Sequence, residues 1–117
     1  MVILSIGLTV FEGVWWCLVN IEKMFDQADV QQLVDAFLTL EGADDVRAFL
    51  TDLCTPREIC DFAQRLQVAR YLDEGDPYVE VQARTGASST TVSRVSKALN
   101  GEWGGYRRVL IELADRA

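Results

Sequence analysis

Histidine is absent from the 117 residues of this chain. Its absence removes the side chain most often used as a general base, and it leaves zinc only cysteine and carboxylate ligands. Cysteine is scarce too. Cys17, Cys54 and Cys60 are an odd set without the spacing of a disulfide framework, so reduced thiols and a cytoplasmic location are the expectation. Such residues serve more often as small buried hydrophobes than as metal ligands. No Lys or Arg precedes Lys23, so the basic start of a secretory leader is missing. There is no internal repeat and no long linker. Without an activated serine or cysteine arrangement, and with carboxylates spread along helix faces, an enzyme is the weakest functional class. Neither a metal nor a cofactor is expected.

The chain also lacks an uninterrupted apolar run long enough to cross a bilayer. Met1–Val19 contains fourteen apolar residues, broken by Ser5, Gly7, Thr9, Glu12 and Gly13. A span there would bury Glu12 near its middle, at about 2–3 kcal/mol. Residues 1–23 therefore read as an apolar N-terminal extension, either a packing arm or an upstream segment not essential to the fold. Residues 24–117 read as one domain. Half of the chain is hydrophobic, enough for a core and against general disorder.

Basic charge is in short supply overall, with a net charge of −7, an odd balance for a nucleic-acid binder until it is divided. Residues 77–108 carry Arg84, Arg94, Lys97, Arg107 and Arg108 against Glu80 and Glu102, a net +3. Residues 26–61 carry nine carboxylates against Arg47 and Arg57, a net −7. A chain polarised in this way can turn its basic end to phosphate and its acidic end to solvent.

Within the basic part lies the clearest chemical signal. Asp76 is expected to cap a helix opened by Pro77, because proline tolerates the first helical position. Gly86 supplies the left-handed conformation that ends it. Ser88 or Ser89 caps the next helix, leaving a turn of about three residues, the length a helix-turn-helix requires. In that second helix Val92, Val95, Ser96 and Leu99 project to one side and Thr90, Ser93, Arg94 and Lys97 to the other. Short hydroxyl side chains at a helix N-terminus allow close approach to base edges, and threonine methyls can meet thymine methyls. Arg94 and Lys97 suit phosphate, and arginine also a guanine edge. The DNA-contacting set expected from this pattern is Ser88, Ser89, Thr90, Thr91, Ser93 and Arg94, with Gln82, Arg84 and Lys97 in support.

Elsewhere the pattern is helical. Asp26 or Asp29 caps a helix carrying Val30, Leu33, Val34, Phe37, Leu38 and Leu40 at helical spacing, stopped by Gly42. Asp44 opens another with Val46, Phe49, Leu50 and Leu53. Thr55-Pro56-Arg57-Glu58 is a capping box with proline at the first helical position, and its helix runs to Gly75. Asn100-Gly101 and Gly104-Gly105 break the chain before a last helix bearing Tyr106, Val109, Leu110 and Leu113.

Leu53-Cys54-Thr55-Pro56-Arg57-Glu58, Ala63-Gln64-Arg65-Leu66, Gly86-Ala87-Ser88, Thr91-Val92-Ser93-Arg94, Leu99-Asn100 and Gly104-Gly105-Tyr106 resemble the tryptophan repressor superfamily in order and spacing. They look most like its Trp-repressor-related branch of small bacterial proteins. The resemblance runs from residue 26 to about residue 110 and omits the first 23. It implies an all-α, Trp-repressor-like helical bundle, an intertwined homodimer whose paired helix-turn-helix motifs meet successive major grooves of double-stranded DNA. In tryptophan-binding members the indole lies between two arginines, near a threonine that opens the preceding helix. Arg65, Arg94 and Thr55 fall on those positions. The residue after the second arginine is glycine there and Val95 here, and a serine four positions after that arginine is Ala98 here. A branched side chain where the ring must fit is costly, so tryptophan is not expected as effector. The reading that results is a sequence-specific, dimeric DNA-binding repressor with an unidentified effector or none. The alternative is a protein-interaction module that kept the fold and lost DNA reading.

Overall fold

The computed structural model of the protein describes residues 20–116. Residues 1–19, most of the apolar extension, lie outside the described residues. The described chain forms seven helices and no strand: α1 Ile21–Met24, α2 Ala28–Leu38, α3 Gly42–Leu53, α4 Pro56–Asp73, α5 Tyr78–Thr85, α6 Ser89–Leu99 and α7 Gly105–Arg116. It divides into two units, Met1–Ala48 and Phe49–Ala117, with the division falling inside α3. Among the described residues no helix is long and apolar enough to cross a membrane.

In the first unit, α1 is a single turn whose N-cap Asn20 accepts from the Lys23 N–H, so helix begins inside residues 1–23. Neither Asp26 nor Asp29 is the cap of α2. Gln27 holds that position in extended backbone, without its side chain capping the helix, and Asp29 falls in the first turn. There a carboxylate still favours the helix through its dipole. The stop also comes earlier than Gly42. Thr39 closes α2 by donating from both its N–H and its Oγ1 to the Ala36 carbonyl. Gly42, at φ +84°, instead opens α3. Just ahead of it the Glu41 N–H donates to Asp45 at 2.9 Å. No side chain of α1, α2 or α3 is buried.

The second unit holds the core. Thr55 and Glu58 complete the capping box of α4, each side chain accepting from the other's backbone N–H at 3.1 and 2.9 Å. Eighteen residues later α4 ends, with Gly75 in left-handed backbone just beyond it. Val68 and Ala69 of α4 pack with Val81 of α5, Ala87 of the turn, Val92, Val95 and Leu99 of α6 and Leu110 of α7. Val68, Val81 and Val92 are completely buried. Burying a side chain of that size contributes about 1.5–3 kcal/mol. Ala69 and Ala87 add little volume, which lets the neighbouring helices close on α4. Leu66, Tyr71, Leu72 and Tyr106 pack around the edge. Cys54 is half-buried and Cys60 exposed, so neither is the buried core cysteine expected of it.

Candidate nucleic-acid interface

The motif is built from α5, a three-residue turn and α6. Gly86 sits at φ +73°, ψ 7°, a left-handed conformation that glycine adopts without strain. Its N–H donates to the Gln82 carbonyl and closes α5. Thr85 braces the turn, its Oγ1 donating to the Val81 carbonyl and accepting from the Ala87 N–H. Gln64 on α4 reaches across and donates to the Thr85 carbonyl at 3.2 Å. Ser88, not Ser89, caps α6. Its Oγ accepts from the Thr91 N–H at 3.1 Å and donates to Thr91 Oγ1 at 3.0 Å.

Asp76 does not cap α5. Pro77 is the N-cap, in extended backbone, and its carbonyl accepts from Glu80 and Val81. Asp76 instead lies 3.5 Å from Arg84, which is equally close to Glu80 and stacks over the Tyr71 ring at 5.1 Å. The Asp76 carboxylate is thus turned to a guanidinium eight positions on rather than to the first N–H groups of α5.

These contacts sort the expected DNA-contacting residues. Ser89, Thr90, Ser93, Arg94 and Lys97 are exposed and line one open groove of about 530 Å³ along α6. Arg94 and Lys97 make no ion pair among the described residues. Ser88 and Thr91 are engaged with each other at the cap. Gln82 is half-buried. Arg84 is drawn toward Asp76, Glu80 and Tyr71 rather than toward the groove. Val92, Val95 and Leu99 occupy the opposite face of α6 and are buried. The Ser88 side chain takes the Thr91 N–H, and the positive end of the helix dipole lies at Ser89 and Thr90, which line the groove.

Among the described residues, two of the candidate effector residues, Arg65 and Arg94, border different openings. Arg65 lines a polar cleft of about 500 Å³ with Arg57, Asp61, Gln64, Ser88 and Thr91. Its guanidinium lies 5.7 Å from the Phe62 ring. Arg94 lines the α6 groove instead. Thr55 is engaged in the capping box, and Ala98 is exposed. Val95 is 2% exposed and belongs to the core. A planar ring sandwiched between two guanidinium groups needs both on one gap, and here they border different openings.

Three roles carried no local signal in the sequence: Gln64 holding the turn, Asp76 with Tyr71 holding Arg84, and the part played by Arg107. Arg107 donates from its guanidinium to the Leu99 and Gly101 carbonyls at the end of α6. A cation in the first turn of a helix, the wrong end of that helix's own dipole, was the available hint.

Comparison with known proteins agrees with this geometry. A family model described as Trp repressor protein matches residues 28–114. The uncharacterized protein YerC of Bacillus subtilis is 44% identical over 72 residues, 62% of this chain and 69% of YerC. Among solved structures, a TrpR-like protein from Eubacterium eligens is 38% identical, with a TM-score of 0.73, covering 79% of this chain and 95% of that one. A Trp-repressor candidate from Staphylococcus aureus is also 38% identical, with a TM-score of 0.74, covering 82% and 95%.

Proposed function

Because the chain belongs to the Trp repressor family of helix-turn-helix DNA-binding regulators, we propose that it is a sequence-specific transcriptional repressor, cytoplasmic, dimeric and indifferent to tryptophan. The observation that carries the reading is the two-sidedness of α6. Its valine face is sealed into the core, while Ser89, Thr90, Ser93, Arg94 and Lys97 line an open groove. Contacts from Arg94 and from the hydroxyls to base edges supply specificity, and Lys97 with the helix N-terminus supplies phosphate binding.

A second copy of the chain is the partner that suits α2 and α3. Leu33, Val34 and Leu38 on α2 are 40%, 44% and 79% exposed, and Val46 and Leu53 on α3 are 38% and 47% exposed. Apolar faces of this kind mark an interaction surface, and a two-fold pair presents two reading helices to half-sites about one helical turn apart. Indifference to tryptophan is supported by Val95, whose side chain fills core space, and by Arg65 and Arg94 bordering separate openings.

Selection of random duplexes by the purified protein, with and without free tryptophan, tests the reading. The expected outcome is a two-fold-related pair of half-sites, enriched equally in both arms. Binding should weaken by about 0.9 log units per neutralised phosphate for each tenfold rise in salt. A tryptophan-dependent shift would overturn the effector-independent part. No enrichment together with salt-insensitive behaviour favours the interaction-module alternative, in which the exposed apolar helices dock another protein.

A further inference from the structure

Helix α6 ends at Leu99 with carbonyls that need donors. Asn100 satisfies the Ser96 carbonyl from its backbone N–H and its side-chain amide, and the Gly101 N–H reaches the Ala98 carbonyl. The chain stays close here. A side chain at Gly101 would put a Cβ 3.2 Å from the Lys97 carbonyl oxygen and 3.3 Å from that of Ala98. Arg107 takes the next two acceptors. One guanidinium nitrogen donates to the Leu99 carbonyl and the other to the Gly101 carbonyl at 2.9 Å. Gly104, at φ +70°, lets the guanidinium lie 3.4 Å from where a Cβ would stand.

The electrostatics of this position are instructive. Arg107 is in the first turn of α7, where a cation is disfavoured by its own helix, and it lies at the C-terminal end of α6, where a cation is favoured. It makes no ion pair among the described residues, so the carbonyl ends of α6 are its counterpart. The planar two-nitrogen fork is suited to bridging two acceptors, which the point charge of a lysine is not.

We infer that Arg107 is a positioning residue of the reader. By clamping the last carbonyls of α6 to the first turn of α7, it sets the tilt of the helix that carries Ser89, Thr90, Ser93 and Arg94 at its other end. The inference rests on the DNA-reading function proposed above. It distinguishes Arg107 from Arg94 and Lys97 although all three belong to the same basic segment. Base readout depends on placement to about half an ångström, so loosening one end of an eleven-residue helix degrades specificity more than general attraction.

The test has two arms. In the first, amide exchange is followed in the DNA-free protein. Arg107→Gln is expected to raise exchange at Asn100 and Gly101 at least about tenfold, with Val68 and Val92 unchanged, as local opening separate from global unfolding allows. Unchanged protection at Asn100 and Gly101 would overturn the clamp. In the second arm, the duplex selected by the wild type is compared with a scrambled duplex. R107Q is expected to weaken cognate binding about tenfold, to leave non-cognate binding within about twofold, and to keep the salt slope. R107K, which keeps the charge, should recover only part of that loss. Full recovery by R107K, or equal losses on both duplexes with a slope shallower by about 0.9, would make Arg107 a phosphate contact and overturn the inference. A wild-type chain without sequence preference would overturn the DNA reading and with it the positioning role. The exchange arm would still report on the clamp itself.

Discussion

Helices α2 and α6 are each eleven residues long and each amphipathic, yet they end differently. Val92, Val95 and Leu99 of α6 are buried against residues of the same chain. On α2 no side chain is buried, and Leu33, Val34 and Leu38 remain open to solvent. An apolar stripe says that a face is to be covered, but not by what. In the reader the cover is supplied from within, so its outer face can be presented as a fixed surface. On α2 the described residues leave the stripe partly open, and the proposed second copy would bring a face of the same kind.

The strongest way to break the comparison is to place a carboxylate on each side of it. Val68→Asp puts an uncompensated charge at a position with no exposure. Leaving a charge buried and unpaired costs about 3–5 kcal/mol, a large part of the about 5–15 kcal/mol that stabilises a typical domain. The variant is expected to show no cooperative thermal transition by circular dichroism at any protein concentration. Val34→Asp acts on a residue 44% exposed within one chain. Its cost should appear largely through association, at roughly half of the 1.5–3 kcal/mol for full burial of a side chain of that size. Sedimentation should then show dissociation moving to higher concentration, with a midpoint temperature that rises as protein is added. If the wild type sediments as a monomer with a concentration-independent midpoint, α2 is not a dimer face.

Why the reader was legible and the rest less so follows from the same contrast. Gly86, Ser88 and the Thr55–Glu58 box are local signals, each fixed by backbone chemistry within four residues, and the structure has all three in place. Asp76 misled because a helix cap and an ion-pair partner look alike in one dimension. Its carboxylate meets Arg84 eight positions on, a separation that no capping rule covers. Gly42 misled similarly, since a left-handed glycine before a helix reads like one after a helix. Arg65 and Arg94 were paired by resemblance, whereas their openings are set by how α4 and α6 cross, which spacing along the chain does not encode. Gln64 and Arg107 act through backbone carbonyls, and carbonyls have no sequence identity to recognise.

A finer cut separates residues within the reader's open groove. Arg94→Ala is expected to cost about 1–3 kcal/mol on the selected duplex and much less on a scrambled one, as removal of a base contact does. Lys97→Ala should weaken both about equally and make the salt slope shallower by about 0.9. Filter-binding or anisotropy titrations at three salt concentrations measure both. Equal losses on the two duplexes for R94A would reduce α6 to a phosphate-binding helix.

The smallest effect lies at the start of α4, on which the reader is built. Thr55→Ala removes the cap and should lower stability by about 1 kcal/mol, measured by urea denaturation. Its partner adds a pH dependence. The Thr55 backbone N–H, and then the Thr55 side chain, hold the Glu58 carboxyl below its ordinary value of 4.5, against a small opposing influence from burial and from Asp61. A carboxyl depressed in the folded state means that the unfolded chain binds its proton first as pH falls. The contribution of the carboxylate is therefore complete above about pH 4.5, the unfolded value, and disappears as pH drops through the lower folded value. Comparing wild type with Glu58→Gln isolates it. The wild type should be slightly more stable at pH 7, and the difference should close only below the ordinary carboxylate range. A gap that stays constant down to pH 3, where about all ordinary carboxylates are protonated, would mean that the box acts through shape rather than charge. The reader's foundation would then be as indifferent to acid as its valine core.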